Sequence, residues 1–247
     1  EDDFFLVIDK PAGVAVHGGS GVSFGVIEQL RMARPQAKFL ELVHRLDRET
    51  SGILLIAKKR SALKNLQDQF RERETGKTYL ALVVGQWHSN KKVLDKSLHK
   101  YLLASKDGGA DAGERRVKVV DQDHPDAMPS LSLVKVRACS GLPSGAGASD
   151  PRGYSLLEVT IKTGRTHQIR VHLASEGMPI AGDDKYGDFD LNKELARGAA
   201  PGTLKRMFLH AWRFQCRHPL TGEKVELFAE LPPELTDFLK FAVPTAI

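Results

Sequence analysis

YSLLEVTIKTGRTHQIRVHL, Tyr154–Leu173, changes its period halfway along. Up to Lys162 it alternates. Leu157, Val159 and Ile161 fall on one side, and Leu156, Glu158, Thr160 and Lys162 on the other. That period of two predicts a strand with one apolar and one mixed face. Gly164 breaks the strand, and Thr166 is a residue type that caps helices. The stretch from Thr166 to about Ser175 reads as a helix stopped by Gly177 and Pro179. Upstream, the turn-rich Ser140–Gly153 joins this strand to another over Leu131–Ala138.

Working outward, strand signals recur and follow one another through turns. FFLVID (Phe4–Asp9) ends at the turn KPAG, Ile53–Ala57 is a short apolar run, and Thr78–Gly85 ends at glycine. Weaker strand signals lie near Val117–Asp121, after a charged stretch, Asp107–Arg116, that reads as irregular. FLHAWRFQCRHP and KVELFAELP give two late strands around the turn HPLTGE. Helices are expected over Phe24–Ala33, over Ala62 to about Arg73 behind a Ser61 cap, and over Pro233–Phe241. Strands outnumber helices without regular βαβ alternation. The expectation is an α+β fold: a mixed, mostly antiparallel sheet with flanking helices, as one domain over residues 1–247.

The chain has 247 residues, 41% of them hydrophobic, enough for a full core. A net charge of +5 allows a polyanionic partner without requiring one. Its two cysteines, Cys139 and Cys216, stand far apart and outside any CxxC or Cys/His cluster. Neither structural zinc nor a disulfide framework is expected, and a reduced cytoplasmic setting is. No apolar run reaches the roughly 18 residues of a membrane span. The start, EDDFFLVIDK, opens acidic and is unlike a signal peptide.

Four stretches carry chemistry. In LVHRLDRETSGILLIAKKR (Leu42–Arg60), Asp47 is the lone aspartate, between Arg45 and Arg48 and just ahead of an apolar strand. Adjacent cations favour an ionised carboxylate. The residues alone leave open a surface ion pair and a nucleophile. In KTGRTHQIRVHL (Lys162–Leu173), Arg165 and Arg170 are charge-assisted donors, and the strand-to-helix turn could seat a phosphate. His167 and Arg170 share a helix face, whereas His167 and His172 are wrongly spaced for two metal ligands. Tyr79, just after Lys77, starts an apolar strand, where a tyrosine either packs or stacks on a base. GDDKYGD places Asp183 and Asp184 among glycines; it lacks EF-hand spacing and reads as a tight loop. Basic residues along Lys58–Lys77, and at Lys91, Lys92, Lys96 and Lys100, form either solvated faces or a phosphate-tracking groove.

HRLDRETSG, KTYLALV, GRTHQIRVHL, GDDKYG and FLHA, in that order, resemble the RluA-type family of RNA pseudouridine synthases. The likeness runs from LVIDKPAGVAVH to LFAELP and is greatest to the branch acting on large-subunit ribosomal RNA, with transfer RNA as the alternative substrate. One departure is Glu49, where relatives often carry aspartate. The resemblance implies an RNA cleft across the sheet and, in many relatives, an S4-type RNA-binding domain upstream, which fits the abrupt start here. It implies Asp47 as the catalytic aspartate, Tyr79 against the target base and Arg170 as the partner of Asp47. Arg45 would help hold the RNA with its nucleotide extruded, and Leu173 would be an apolar contact under the base. Arg48, Lys77, Arg165 and His167 complete the expected RNA-contacting set. Uridine isomerisation involves no redox step, so no cofactor or metal is expected, and a monomer is the default. Two other classes compete. A non-catalytic RNA-binding module would not need Asp47, Tyr79 and Arg170 together. A glycosidase needs a second carboxylate, and a two-metal nuclease needs clustered ligands.

Overall fold

The computed structural model describes residues 1–19, 24–87, 92–103, 114–140, 153–198 and 202–246. Most of the two loops bracketed by Ala104–Arg116 and Ser140–Gly153 therefore lies outside the described residues. Eleven strands and five α-helices are seen among those described. The strands are β1 (Phe5–Lys10), β2 (Glu41–Leu42), β3 (Ser51–Ala57), β4 (Gly76–Val84), β5 (Val93–Asp95), β6 (Ser97–Leu103), β7 (Glu114–Val120), β8 (Leu131–Cys139), β9 (Tyr154–Ile161), β10 (Leu209–Arg217) and β11 (Lys224–Phe228). The helices are α1 (Val26–Ala33), α2 (Arg60–Arg71), α3 (Gln168–Ser175), α4 (Phe189–Arg197) and α5 (Pro233–Ala242).

The main sheet runs β1-β3-β10-β4-β9-β8-β5, with β2 beside β3 and β11 beside β10, while β6 and β7 form a separate hairpin. Its one parallel pairing is β3 with β10, over His210↔Ser51 and Ala211↔Gly52. The expected mixed, mostly antiparallel α+β sheet is what the chain forms. β3 is buried along its whole length because both faces of the sheet are covered. Leu54 and Ile56 face the large core with α1, α3, α4 and α5. Ile53, Leu55 and Ala57 face a smaller core under Leu66 of α2, with Phe5, Phe214 and Cys216. Each such Leu or Ile contributes about 1.5–3 kcal/mol by burial.

The differences from expectation have local causes. β5, β6 and α4 escaped notice, and β7 begins at Glu114, inside the stretch read as irregular. Its alternation is masked because a two-stranded hairpin buries only the positions near its base, Leu98 and Val117. Helix α2 starts one turn edge earlier than its Ser61 cap predicts: Lys59, still extended, is the N-cap and no side chain caps it. Thr166 does not cap α3 either. His167 holds that position in the left-handed region, φ 52°, while Gln168 Oε1 accepts from the Arg165 N–H at 3.1 Å.

Gly52 fixes how β3 meets β10. Its φ is +106°, and a Cβ there would lie 2.3 Å from the Ala211 carbonyl oxygen. Only glycine lets the two backbones approach so closely. Gly52→Ala should cost at least about 2 kcal/mol, read as a lowered midpoint in urea denaturation, because clash and strain add. Beside it, Ser51 Oγ accepts from Arg206 at 2.7 Å and donates to His210 Nδ1 at 2.8 Å. His210 Nε2–H in turn donates to the Ala229 carbonyl at 3.0 Å. No described helix is long and apolar enough to cross a membrane.

Candidate active site

Asp47 sits in the loop between β2 and β3. A turn closes it, with the Thr50 N–H donating to the Asp47 carbonyl at 3.1 Å. Lys10, at the end of β1 and fully buried, clamps this loop from behind. Its ammonium donates to the carbonyls of Pro11 at 2.8 Å, Val14 at 2.9 Å and Arg48 at 3.0 Å. Burial and the charge of Arg206 bring Lys10 down to about 8, still above neutrality. A charged donor shared by three carbonyls is a strong way to order a turn.

The loop opens on a cavity of about 220 Å³ walled by β4, β9, β10, α2 and α3. Tyr79 comes from β4, opposite Ala211, where β10 carries an extra residue between Ala211 and Arg213. Such a bulge twists the ladder locally and re-aims the side chains beside it. Lys77, Ile161, Ile169 and Leu209 supply further wall, and Phe70 reaches over from α2. Arg165, His167 and Arg170 come from the β9–α3 junction. A second cleft, about 340 Å³, meets the first at Asp47, His167 and Arg170 and carries Arg45, Arg48 and Lys185 on its rim.

Arg170 is the hub. It is 3% exposed and Asp183 is fully buried. Arg170 Nε donates to Asp183 Oδ2 at 2.8 Å and Nη2 to Asp183 Oδ1 at 2.7 Å, a bidentate fork. Nη2 also meets Asp184 at 3.0 Å, leaving Nη1 to reach Asp47 Oδ2 at 3.5 Å. Burial pulls the guanidinium down, but the Asp183 bonds and charge outweigh it and keep Arg170 fully charged. His167 Nε2 approaches the same Asp47 oxygen at 3.8 Å. Both contacts thus fall on Oδ2.

Tyr79 is nearly buried, and burial followed by the charge of Asp47 raises its hydroxyl well above the ordinary phenol range. It is a neutral hydroxyl, which argues against the phenolate as a proton acceptor. Lys77, over the Phe70 ring at 4.8 Å, is brought down to about 8 by burial. His44 stacks on Phe70 and accepts the Leu55 N–H through Nε2; burial, then Lys77, drives it to about 4, so it is neutral.

Asp47, Tyr79, Arg170, Arg45, Lys77, Arg165 and His167, expected from the sequence, all line the one cavity. Several expectations need correction. Leu173 is fully buried in the core and has no face in the cavity; Ile161, Ile169 and Leu209 are the apolar wall instead. Of the two flanking arginines, Arg48 turns away from Asp47: it is exposed and pairs with Glu49 at 2.8 Å, while Arg45 lines the cavity. The β9–α3 turn is a poorer phosphate seat than its sequence indicates, since the Arg165 and Gln168 N–H groups are used internally. The basic run is partly taken up by local pairing, Lys58 with Glu1 at 3.0 Å and Lys96 with Glu176 at 2.5 Å, and Lys91 lies outside the described residues. Sequence reasoning passed over Asp183 as loop. Its signal was there: an acid beside glycine, thirteen residues past an arginine that needs a partner.

Among the described residues one cluster has the composition of a metal site: His99, His124 and Asp126. It is poorly set for that role. His124 Nδ1 accepts the Asp126 N–H at 3.1 Å, so Nε2 carries the proton and lacks a free lone pair.

Comparison with known proteins follows the same lines. Residues 4–175 match the family model described as RNA pseudouridylate synthase. The chain is 48% identical over 242 residues to the ribosomal large subunit pseudouridine synthase C of Pasteurella multocida, covering 97% of this chain and 65% of the relative. Against the protein of that name in Escherichia coli the identity is 48% over 231 residues, covering 94% and 65%. The chain thus spans just under two thirds of these relatives' length. Among solved structures, human RNA pseudouridylate synthase domain containing 4 superposes with a TM-score of 0.70 at 26% identity, covering 97% of this chain and 90% of that one. Human RNA pseudouridylate synthase domain containing 1 gives 0.67 at 29%, covering 94% and 82%. With the aspartate, tyrosine and arginine motifs gathered at one cavity and the family match running through all three, the chain belongs to the RNA pseudouridylate synthase family.

Proposed function

We propose that this chain is the catalytic unit of an enzyme that isomerises uridine to pseudouridine in large-subunit ribosomal RNA. The observation that carries it is Asp47. Its carboxylate is contacted on Oδ2 by Arg170 and His167 and stands where a small cavity meets a basic cleft. The cavity takes the extruded base, and the cleft takes the flanking backbone through Arg45, Arg48 and Lys185. The choice of ribosomal RNA is supported by what the Pasteurella and Escherichia relatives are named for.

The reaction breaks the C1′–N1 bond and forms C1′–C5. A proton leaves C5, N1 ends protonated, and no electrons are gained or lost. Asp47 attacks C1′, adds at C6 of the ring, or takes a proton in an elimination route; each uses an ionised carboxylate held in place. The freed uracil turns without escaping, against the Tyr79 ring. Because the Tyr79 hydroxyl stays neutral, the C5 proton goes to water or to the regenerated carboxylate. The proposed substrate supports a cytoplasmic setting.

The test is a tritium-release or chemical-mapping assay with purified protein, EDTA, unmodified 23S-type RNA and a separate tRNA pool. Pseudouridine is expected in the ribosomal RNA. Product only in tRNA would keep the reaction and overturn the substrate. No product from the full-length protein in either pool would overturn the enzyme reading.

A further inference from the structure

His167 was expected to touch RNA, yet its ring is held from behind. Nδ1 lies 2.8 Å from the Tyr186 hydroxyl, and Nε2 lies 3.8 Å from Asp47 Oδ2. The two rings meet edge to face at 5.5 Å. Tyr186 belongs to the loop after Asp183, whose Oδ1 accepts the backbone N–H groups of Lys185 at 2.8 Å and Tyr186 at 3.0 Å. The carboxylate that grips Arg170 therefore also places Tyr186. On its far side, the Tyr186 oxygen accepts the Val117 N–H of β7 at 3.0 Å.

Proton accounting then fixes the imidazole. A backbone N–H can only donate, so the Val117 contact takes a lone pair of the Tyr186 oxygen. The Tyr186 proton remains, and among the described residues His167 Nδ1 is the acceptor it reaches. A Tyr186 O–H donating there leaves Nδ1 the lone pair and gives Nε2 the hydrogen. The other end agrees. An ionised Asp47 offers only acceptors, so a bare Nε2 lone pair facing it would repel, while Nε2–H attracts. Burial holds His167 below its ordinary value, Asp47 and Asp183 pull it up, and Arg170 and Lys185 push it down, leaving it below; the ring is neutral near pH 7. Its left-handed backbone, φ 52°, is what turns the ring to span both partners.

We infer that Tyr186 locks His167 as the neutral Nε2–H tautomer, and that this N–H and Arg170 together hold Asp47 Oδ2 so that Oδ1 is the oxygen presented to the substrate. His167 and Tyr186 are positioning residues, acting through Asp47. Through Val117 the same hydroxyl ties the β6–β7 hairpin to the site, so a shift of that hairpin reaches His167 through two hydrogen bonds and Asp47 through the 3.8 Å contact beyond it. The inference deepens the synthase reading, and its rate measurements rest on it.

The test uses the full chain labelled with 15N-histidine. Long-range proton–nitrogen correlation should show one ring, identified by its absence in His167→Asn, with Nε2 protonated and Nδ1 an acceptor at neutral pH. Asparagine suits the left-handed backbone, so that variant keeps its fold but places no donor at Nε2. Its single-turnover rate, and that of Tyr186→Phe, should fall about tenfold to a hundredfold with RNA affinity little changed. His167→Gln, whose longer amide reaches the Nε2 position, should recover part of the loss. Tyr186→Phe should also give a mixed tautomer spectrum. A ring protonated at Nδ1, an imidazolium, wild-type rates in both variants, or a loss confined to RNA affinity would each overturn the inference. If the wild-type protein makes no pseudouridine, the functional reading fails, and the wild-type and Tyr186→Phe spectra still decide the tautomer.

Discussion

Asp47→Asn is expected to abolish pseudouridine formation, by more than about a thousandfold in single-turnover rate, while RNA affinity stays near wild type. The substitution is isosteric. It removes the charge that makes the carboxylate a nucleophile or base and leaves nothing chemically equivalent. The pocket should survive, because Arg170 is anchored by its fork on Asp183 and needs Asp47 only at the longer 3.5 Å contact. The other cations lining the two clefts, Arg45, Lys77 and Lys185, are untouched by the substitution. Filter binding and product release measured together separate the two effects. Product at the wild-type rate would remove Asp47 from the mechanism.

Asp183→Asn should instead be a stability mutant. The carboxylate is fully buried against an arginine 3% exposed. Losing its charge leaves the guanidinium underpaired in a dry setting, which costs about 3–5 kcal/mol when one partner of a buried pair is removed. Urea denaturation reads it. A second effect follows from pH. Burial pushes the Asp183 carboxyl up, but the Arg170 bonds and charge and the Lys185 and Tyr186 N–H groups outweigh it, so its native value lies below the ordinary one. The unfolded chain binds this proton more readily. The stabilisation is therefore complete above about pH 4 and fades as pH falls through the lower native value. Asp183→Asn should flatten that acid limb. Replacing both partners, Asp183→Leu with Arg170→Met, should restore much of the stability and none of the activity, since apolar groups can fill the space but not hold Asp47.

How far the sequence carries is clearest at these same residues. β9 was legible from its alternation, and β3 from an unbroken apolar run that records burial on both faces. β5, β6 and α4 were not: three residues, a hairpin buried only at its base, and a short helix contributing Leu191 and Leu195 leave little periodic trace. The motifs named Asp47, Tyr79 and Arg170 correctly as neighbours. What they could not supply was a bond between chain segments. Arg48 stands beside Asp47 in the sequence and pairs with Glu49, whereas the cation that reaches Asp47 is 123 residues away. Leu173 follows Arg170 by three residues on α3, and one helical turn was enough to point it into the core. Charge proximity along the chain is a weak guide to charge proximity in space once a backbone turn intervenes.

The single parallel pairing in the sheet sets a timetable. Asp47 hangs from β3 and Tyr79 stands on β4, and the strand between them, β10, is synthesised well after both. A growing chain that has emitted every motif through residue 175 still lacks the spacer that sets how far apart the aspartate and the tyrosine lie. Elongation proceeds from the N-terminus at a few residues each second, so for some seconds the polypeptide carries all its chemistry and no working geometry. A stop codon between Tyr186 and Leu209 would yield a protein with Asp47, Tyr79, Arg170 and Asp183 intact and the two walls of its pocket unlinked.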